Sequence, residues 1–260
     1  MKLTYSVPDL SYSASQIAEF LTFIKPLQGD TFSSMGNAIF ALYPNICEDE
    51  IRLLSQTKLN KYCADRLRFI YDTNRPKFIE KALTYQRMWD THSNRIEDAL
   101  GDIFQVNIAN QFDDMKARVT LCPICPRFLN DHSFDIFHQY SAEGSLYVAI
   151  HEITHFIWFD TWNKLFNDSP EFYEQPHLPW IFSELAIDAI LSDPRLNCMI
   201  FDSYQAEHPA YAEFYEIFSG EQSLIALFRS MYNRLPITGF MQEGYHFLID
   251  NRSLFSSYFG

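Results

Sequence analysis

Basic residues are scarce in this chain: 20 Lys and Arg stand against 33 Asp and Glu, for a formal net charge of −13. A phosphate backbone is bound by a basic surface that releases its counterions, so nucleic acid is excluded as an expected partner. The same field disfavours an anionic lipid surface. A neutral or cationic substrate meets no such penalty. Long apolar runs are also missing, none approaching the roughly eighteen residues a membrane helix needs. Met1 to Leu10 has one lysine, then polar residues and Pro8, without the apolar core or cleavage site of a secretory leader. The expected compartment is therefore the cytoplasm, with no membrane partner. The five cysteines, Cys47, Cys63, Cys122, Cys125 and Cys198, are odd in number and scattered, which argues against a disulfide scaffold. Cys122-Pro-Ile-Cys125 has the spacing of a zinc knuckle or a redox pair. No second C-x-x-C accompanies it, and it reads as two cysteines in or after a strand. Internal repeats and low-complexity tracts are absent.

The chain does have apolar bulk. With 47% hydrophobic and 17% aromatic residues over 260 positions, it can fill a sizeable core. Ser13 or Ser15 can cap a helix through Gln16–Ile24, stopped by Pro26 and Gly29, and a loop follows to about Asn45. Helical periodicity runs from Glu48 to about Tyr71, is broken at Asn74-Arg-Pro76, and resumes from Lys77 to Phe104, stopping near Gly101. Ala117–Cys122 and Ser133–Tyr140 alternate like strands, the first expected at a sheet edge or to end in a bulge, rather than to lie centrally, because Pro123 and Pro126 follow it. Helices are expected over Trp180–Leu191, Pro209–Phe218 and Gln222–Leu235, whereas Met241–Asp250 is ambiguous between helix and strand. The expected fold is α+β, predominantly helical, with a small mixed or antiparallel sheet packed over a buried helix. The simplest division is a single domain with a helical part at 1–110, the sheet and site helices at 111–193, and a helical C-terminal part at 194–260.

The chemistry concentrates in Gly144–Phe159, which contains His151-Glu152-Ile-Thr-His155. Residues four apart share one face of a helix, so the two imidazoles can converge on an ion, with Glu152 projecting beside it. Metal-assisted hydrolysis needs that set: two neutral nitrogen ligands, an open position for water and a carboxylate near the water's proton. With 8 His in the chain, a chance match has a probability of about one in seventy. Context counts against chance. Leu146, Val148, Ile150, Ile153, Phe156 and Ile157 make the helix apolar almost all round and therefore buried. Burying His151, Glu152 and His155 there is costly unless a partner such as a metal meets them.

A catalytic zinc needs a third protein ligand, the fourth position being left to water. Glu184 is the leading candidate, an acid in the apolar helix Trp180–Leu191 with no other evident partner. His177, Asp160 and Glu171, on or near the intervening loop, are alternatives. Asp188, one turn beyond Glu184, can accept the free ring N–H of a ligand histidine. H-E-x-x-H followed by a helix with Glu184-Leu-Ala-Ile-Asp188 resembles the gluzincin zinc metallopeptidases. The similarity covers residues 146–191, and the 28 residues between His155 and Glu184 exceed the commonest gluzincin spacing. A metzincin would place Gly and His where Trp158 and Thr161 stand.

The gluzincin resemblance implies a zinc cofactor on His151, His155 and Glu184, Glu152 as general base, Asp188 as the orienting carboxylate, and hydrolysis of a peptide or protein substrate. It also implies an edge strand that takes up the peptide, by position Ala117–Cys122 or Ser133–Tyr140. A donor for the developing oxyanion is expected from Tyr173, Tyr245 or His246, with Tyr211 and Tyr215 also eligible. Two other readings stand beside the peptidase: a non-catalytic zinc protein whose fourth ligand, such as His177, closes the site, and a zinc hydrolase of another amide.

Overall fold

A computed structural model describes residues 1–23, 34–108, 111–199 and 212–258. The fold is α+β and predominantly helical, with a mixed four-stranded sheet and a two-stranded antiparallel one. The chain forms two compact units, each assembled from separate stretches. One comprises Lys2–Asp90 with Asp114–Ser145. The other comprises Met1, Thr91–Asp113 and Leu146–Gly260.

The first unit holds the larger sheet, of strands β1 (Leu3–Ser6), β2 (Met115–Thr120), β3 (Arg127–Phe128) and β4 (Ser133–Phe137) in the order β1-β2-β4-β3. β1, β2 and β4 are parallel and β3 is antiparallel to β4. The expected edge position of β2 is therefore wrong. Its ladder ends at Thr120, before Pro123 and Pro126, so neither proline removes a donor from it. The N-terminal stretch Met1 to Leu10, for which no strand was expected, includes β1, in which Leu3 and Tyr5 are buried and alternate with exposed residues. All five residues of β4 are buried. Its one charge, Asp135, accepts from Arg118 Nε at 2.9 Å across the β2–β4 register and from Tyr12 Oη at 3.0 Å. Burial nevertheless pushes the Asp135 carboxyl up to about 6.

Helices α1 (Leu10–Phe23), α2 (Ser34–Leu42), α3 (Glu48–Ile51) and most of α4 (Gln56–Phe104) complete this unit. Asp9, not Ser13 or Ser15, caps α1, accepting from Tyr12 N at 2.9 Å. The expected stop at Pro26 and Gly29 lies outside the described residues, and α2 occupies part of the stretch expected to be loop. Pro76 does not break α4, which runs through it for 49 residues. Pro76 and Asp72, whose carbonyl loses its i+4 donor, are both exposed, on a face of the helix open to solvent. The helix ends at Gln105, with φ of 56° and Val106 N bonded to Gly101 O at 3.1 Å. Cys63 and Cys122 are buried in the core of this unit, and none of the five cysteines forms a disulfide.

The second unit contains Leu146–Phe166 of α5 (Ala142–Phe166), then α6 (Leu178–Leu191), α7 (Pro194–Asn197), the hairpin β5 (Phe218–Ser219)–β6 (Gln222–Ser223), α8 (Leu224–Arg234) and α9 (Ile237–Asp250). The ambiguous 241–250 stretch is thus helical. The helix expected over 209–218 lies partly outside the described residues, and its described part is a 3-10 turn at 212–216 leading into β5. Ser223 caps α8 by accepting from Ala226 N. The core is aromatic: Phe182 of α6 lies 5.1 Å from Trp158, 5.3 Å from Phe228 and 5.6 Å from Phe240, centroid to centroid. Gly244 lets α9 approach this cluster, since a Cβ there would stand 2.8 Å from Phe182 Cε2 and 3.0 Å from Phe228 Cε1. No described helix is long and apolar enough to cross a membrane.

Candidate metal centre

Helix α5 is continuous because nothing in its interior interrupts it: no proline, and its one glycine, Gly144, lies in the first turn. Ser141 accepts from Gly144 N at 3.0 Å and opens it, and Asn167, with φ of 52°, closes it. From Ser145 to Phe159 every residue is buried. The 3.6-residue repeat stacks His151 and His155 on one face, and their Nε2 atoms stand 3.1 Å apart. His155 lies parallel to Phe159, which stacks on Tyr173 at 4.5 Å.

Helix α6 brings the third group. Thirteen of its fourteen residues are buried, Asp188 being the exception. Phe182 wedges among the rings of α5, α8 and α9, and Glu184 lies about 200° further round the helix. Glu184 presents Oε1 to His155 Nε2 at 3.3 Å and Oε2 to His151 Nε2 at 3.5 Å. Its side chain is 2% exposed. Among the described residues these three form a buried group able to hold a metal ion.

Does this donor set fit an ion? Ligand atoms on bonds of about 2.0–2.1 Å around a tetrahedral centre stand roughly 3.3 Å apart. The two Nε2 atoms stand 3.1 Å apart, each faces a different oxygen of Glu184, at 3.3 and 3.5 Å, and one ligand atom from each of the three residues lies within 4.8 Å of the others, close enough to share one ion. Two imidazoles and one carboxylate also form one of the ligand sets that leave a position for water. A cavity of about 20 Å³ borders His151 and Glu184, room for about one water. Tyr147, Ile187, Asp188, Phe214, Tyr215 and Ile225 form the rest of its lining. Neither a protein-family model, nor a curated protein, nor a solved structure matches the chain.

The other sequence candidates are placed as follows. Glu152 is buried, next to His151 in sequence. Asp188 accepts from Tyr215 Oη at 2.6 Å and from Arg229 Nε and Nη2 at 2.8 and 3.1 Å. Its three donors come from Tyr215 and Arg229, and no histidine nitrogen is among them. His177 precedes α6 and packs on Phe172, Asp160 pairs with Lys164, and Glu171 is exposed; none joins the group. Tyr173 donates toward Asp168 O at 3.2 Å, Tyr245 packs on Trp162 and Phe166, and His246 is exposed. None of these three lines the cavity beside His151 and Glu184, and Tyr211 lies outside the described residues. Tyr215 does line it. Burial, then the bond to Asp188, raises its phenol above the ordinary range, so it is protonated at neutral pH.

Reading the sequence missed Tyr147 and Arg229. Tyr147 was findable, since it stands four residues before His151 on the same helix face. Arg229 lies 41 residues from Asp188, and no local pattern links them. The proposed peptide-binding edge is also corrected. β2 lies between β1 and β4, and β4 is covered by β3 and by Asp135 N bonding Pro126 O at 3.0 Å. The edges of that sheet are β1 and β3.

Proposed function

We propose that this protein is a zinc-dependent hydrolase, acting on peptide bonds, of the gluzincin kind. The observation that carries the reading is the convergence of His151, His155 and Glu184 in one buried group able to hold an ion. Zinc is the ion such a set favours, and when bound it supplies Lewis acidity and lowers the pKa of its water toward about 7.

The remaining work falls to the chain. His151 and His155 offer Nε2 as neutral donors, and Glu184 contributes the one negative charge. Glu152 follows His151 directly, so its carboxylate projects beside the ligand face, where it takes the proton of the attacking water and returns it to the leaving amine. The aromatic walls exclude bulk solvent, which strengthens each electrostatic contact within. Three ligands, with no fourth among the described residues, favour an open site over a closed structural one.

The test is metal analysis of the purified protein, together with peptidase assays of Glu152→Gln and His151→Ala. Glu152→Gln is expected to retain about one zinc per chain and lose hydrolysis by a factor of about 10²–10⁴. His151→Ala is expected to lose both. Undiminished hydrolysis by Glu152→Gln would refute the mechanism, and a wild-type chain that takes up no metal would refute the site.

A further inference from the structure

Asp188 is expected from sequence to hold a histidine ring, yet its oxygens receive three donors from elsewhere: Tyr215 Oη and two nitrogens of Arg229. We propose that Arg229 is a positioning residue of the metal centre: by clamping Asp188 it fixes the rotation of α6 about its axis, and thereby the place of the Glu184 carboxylate opposite the two histidines. The inference rests on the metal-site reading and extends it to residues that touch no ligand atom.

The argument is geometric. Glu184 and Asp188 are four residues apart on α6, on one face and separated by a rise of about 6 Å, so the rigid helix carries both through any rotation together. A carboxylate at roughly 6 Å from the helix axis moves about 1 Å for each 10° of rotation. Metal bonds near 2.0–2.1 Å tolerate a fraction of that. The opposite face of α6 is held by Phe182 against Trp158, Phe228 and Phe240, and apolar contact is non-directional, so it sets depth better than angle. A guanidinium fork on a carboxylate is directional, with two parallel bonds in fixed planar geometry. Arg229 and Phe228 are adjacent on α8, so one helix grips α6 both by the wedge and by the fork. Tyr215 adds a third bond to the same carboxylate from the 212–216 turn.

The experiment compares wild type with Arg229→Met, Arg229→Lys, Asp188→Asn and the Arg229→Met/Asp188→Asn double variant, all as full chains. Metal-free protein is titrated with Co2+ alone, reading affinity and visible absorption, and urea unfolding of the metal-free chains is followed separately. Arg229→Met and Asp188→Asn are each expected to weaken Co2+ binding about 10–100-fold and to alter the absorption band. The double variant should be no weaker than the worse single one, because the two residues act as a unit. Arg229→Lys should recover part of the loss. If Arg229→Met does not fold, Arg229→Lys and Tyr215→Phe carry the same test, each expected to fall between wild type and Asp188→Asn. A clamp variant with wild-type affinity and spectrum, or effects that simply add, would overturn the proposal while leaving the site intact. Failure of the wild type itself to bind Co2+ would overturn the metal reading, and this one with it.

Discussion

Replacing Gly244 by alanine sets two opposed effects against each other at the packing that supports α6. Alanine in a helix interior is favoured over glycine by about 1 kcal/mol. Against that, the new methyl would stand 2.8 Å from Phe182 Cε2 and 3.0 Å from Phe228 Cε1, and nearer still to Phe182 Cζ. Carbon atoms pack at about 3.5–4.0 Å, so the Phe182 ring must retreat by roughly 1 Å. It has nowhere to go: Phe182 is fully buried, with Trp158, Phe228 and Phe240 around it. Overpacking of this kind costs about 1–3 kcal/mol, occasionally more. Because the ring cannot retreat, the clash falls at the upper end of that range and outweighs the propensity gain, and Gly244→Ala is expected to lose up to about 2 kcal/mol net. Urea unfolding should show a lower midpoint at an unchanged slope. Phe182 lies two residues before Glu184, so metal affinity should fall as well. A midpoint equal to or above that of wild type would show that the ring swings aside freely, and would refute the claim that α9 buttresses α6.

Other substitutions probe the site and the sheet unit. His155→Ala removes a candidate ligand from a fully buried position and, on the proposed reading, should abolish stoichiometric metal uptake, measured by elemental analysis. Pro76→Ala restores a donor to the exposed turn of α4 and should raise stability by about 1–3 kcal/mol in urea, a loss there being the contrary result. Asp135, with a carboxyl raised to about 6, binds its proton more tightly folded than unfolded, so its contribution is greatest below about pH 4 and is lost as pH rises through 6. The stability of wild type relative to Asp135→Asn should thus decline by up to about 3 kcal/mol between pH 4 and 7, and a flat difference would show that Arg118 fully compensates the burial.

What the sequence revealed follows the range of the physics involved. His151 and His155 were legible because helical periodicity fixes which residues share a face. Glu184 was legible because an acid among Ile181, Phe182, Leu185 and Ile187 has no ordinary explanation. Asp188 and Arg229 form a pair across 41 residues, and only the tertiary fold brings α8 against α6. Pro76 misled because the rule against proline in helices assumes an unsatisfied carbonyl, which water satisfies on an exposed face. β1 was hidden by its brevity: four residues alternate too briefly to stand out, and its partner β2 lies more than a hundred positions away. The interior place of β2 was missed for a related reason, since prolines beyond a strand say nothing about its neighbours.

The 28 residues between His155 and Glu184 give the buried group a mechanical meaning. An ion gripped by α5 and α6 is also a cross-link that closes a loop through the 3-10 turn at 170–173. Closing a loop of that length removes conformational freedom from the opened chain as a covalent staple would, so part of the binding energy is returned as fold stability. Metal supply would then govern how long the two helices stay paired as well as whether the centre can react. On the proposed reading, a chelator would loosen the pairing of α5 and α6 as well as empty the centre.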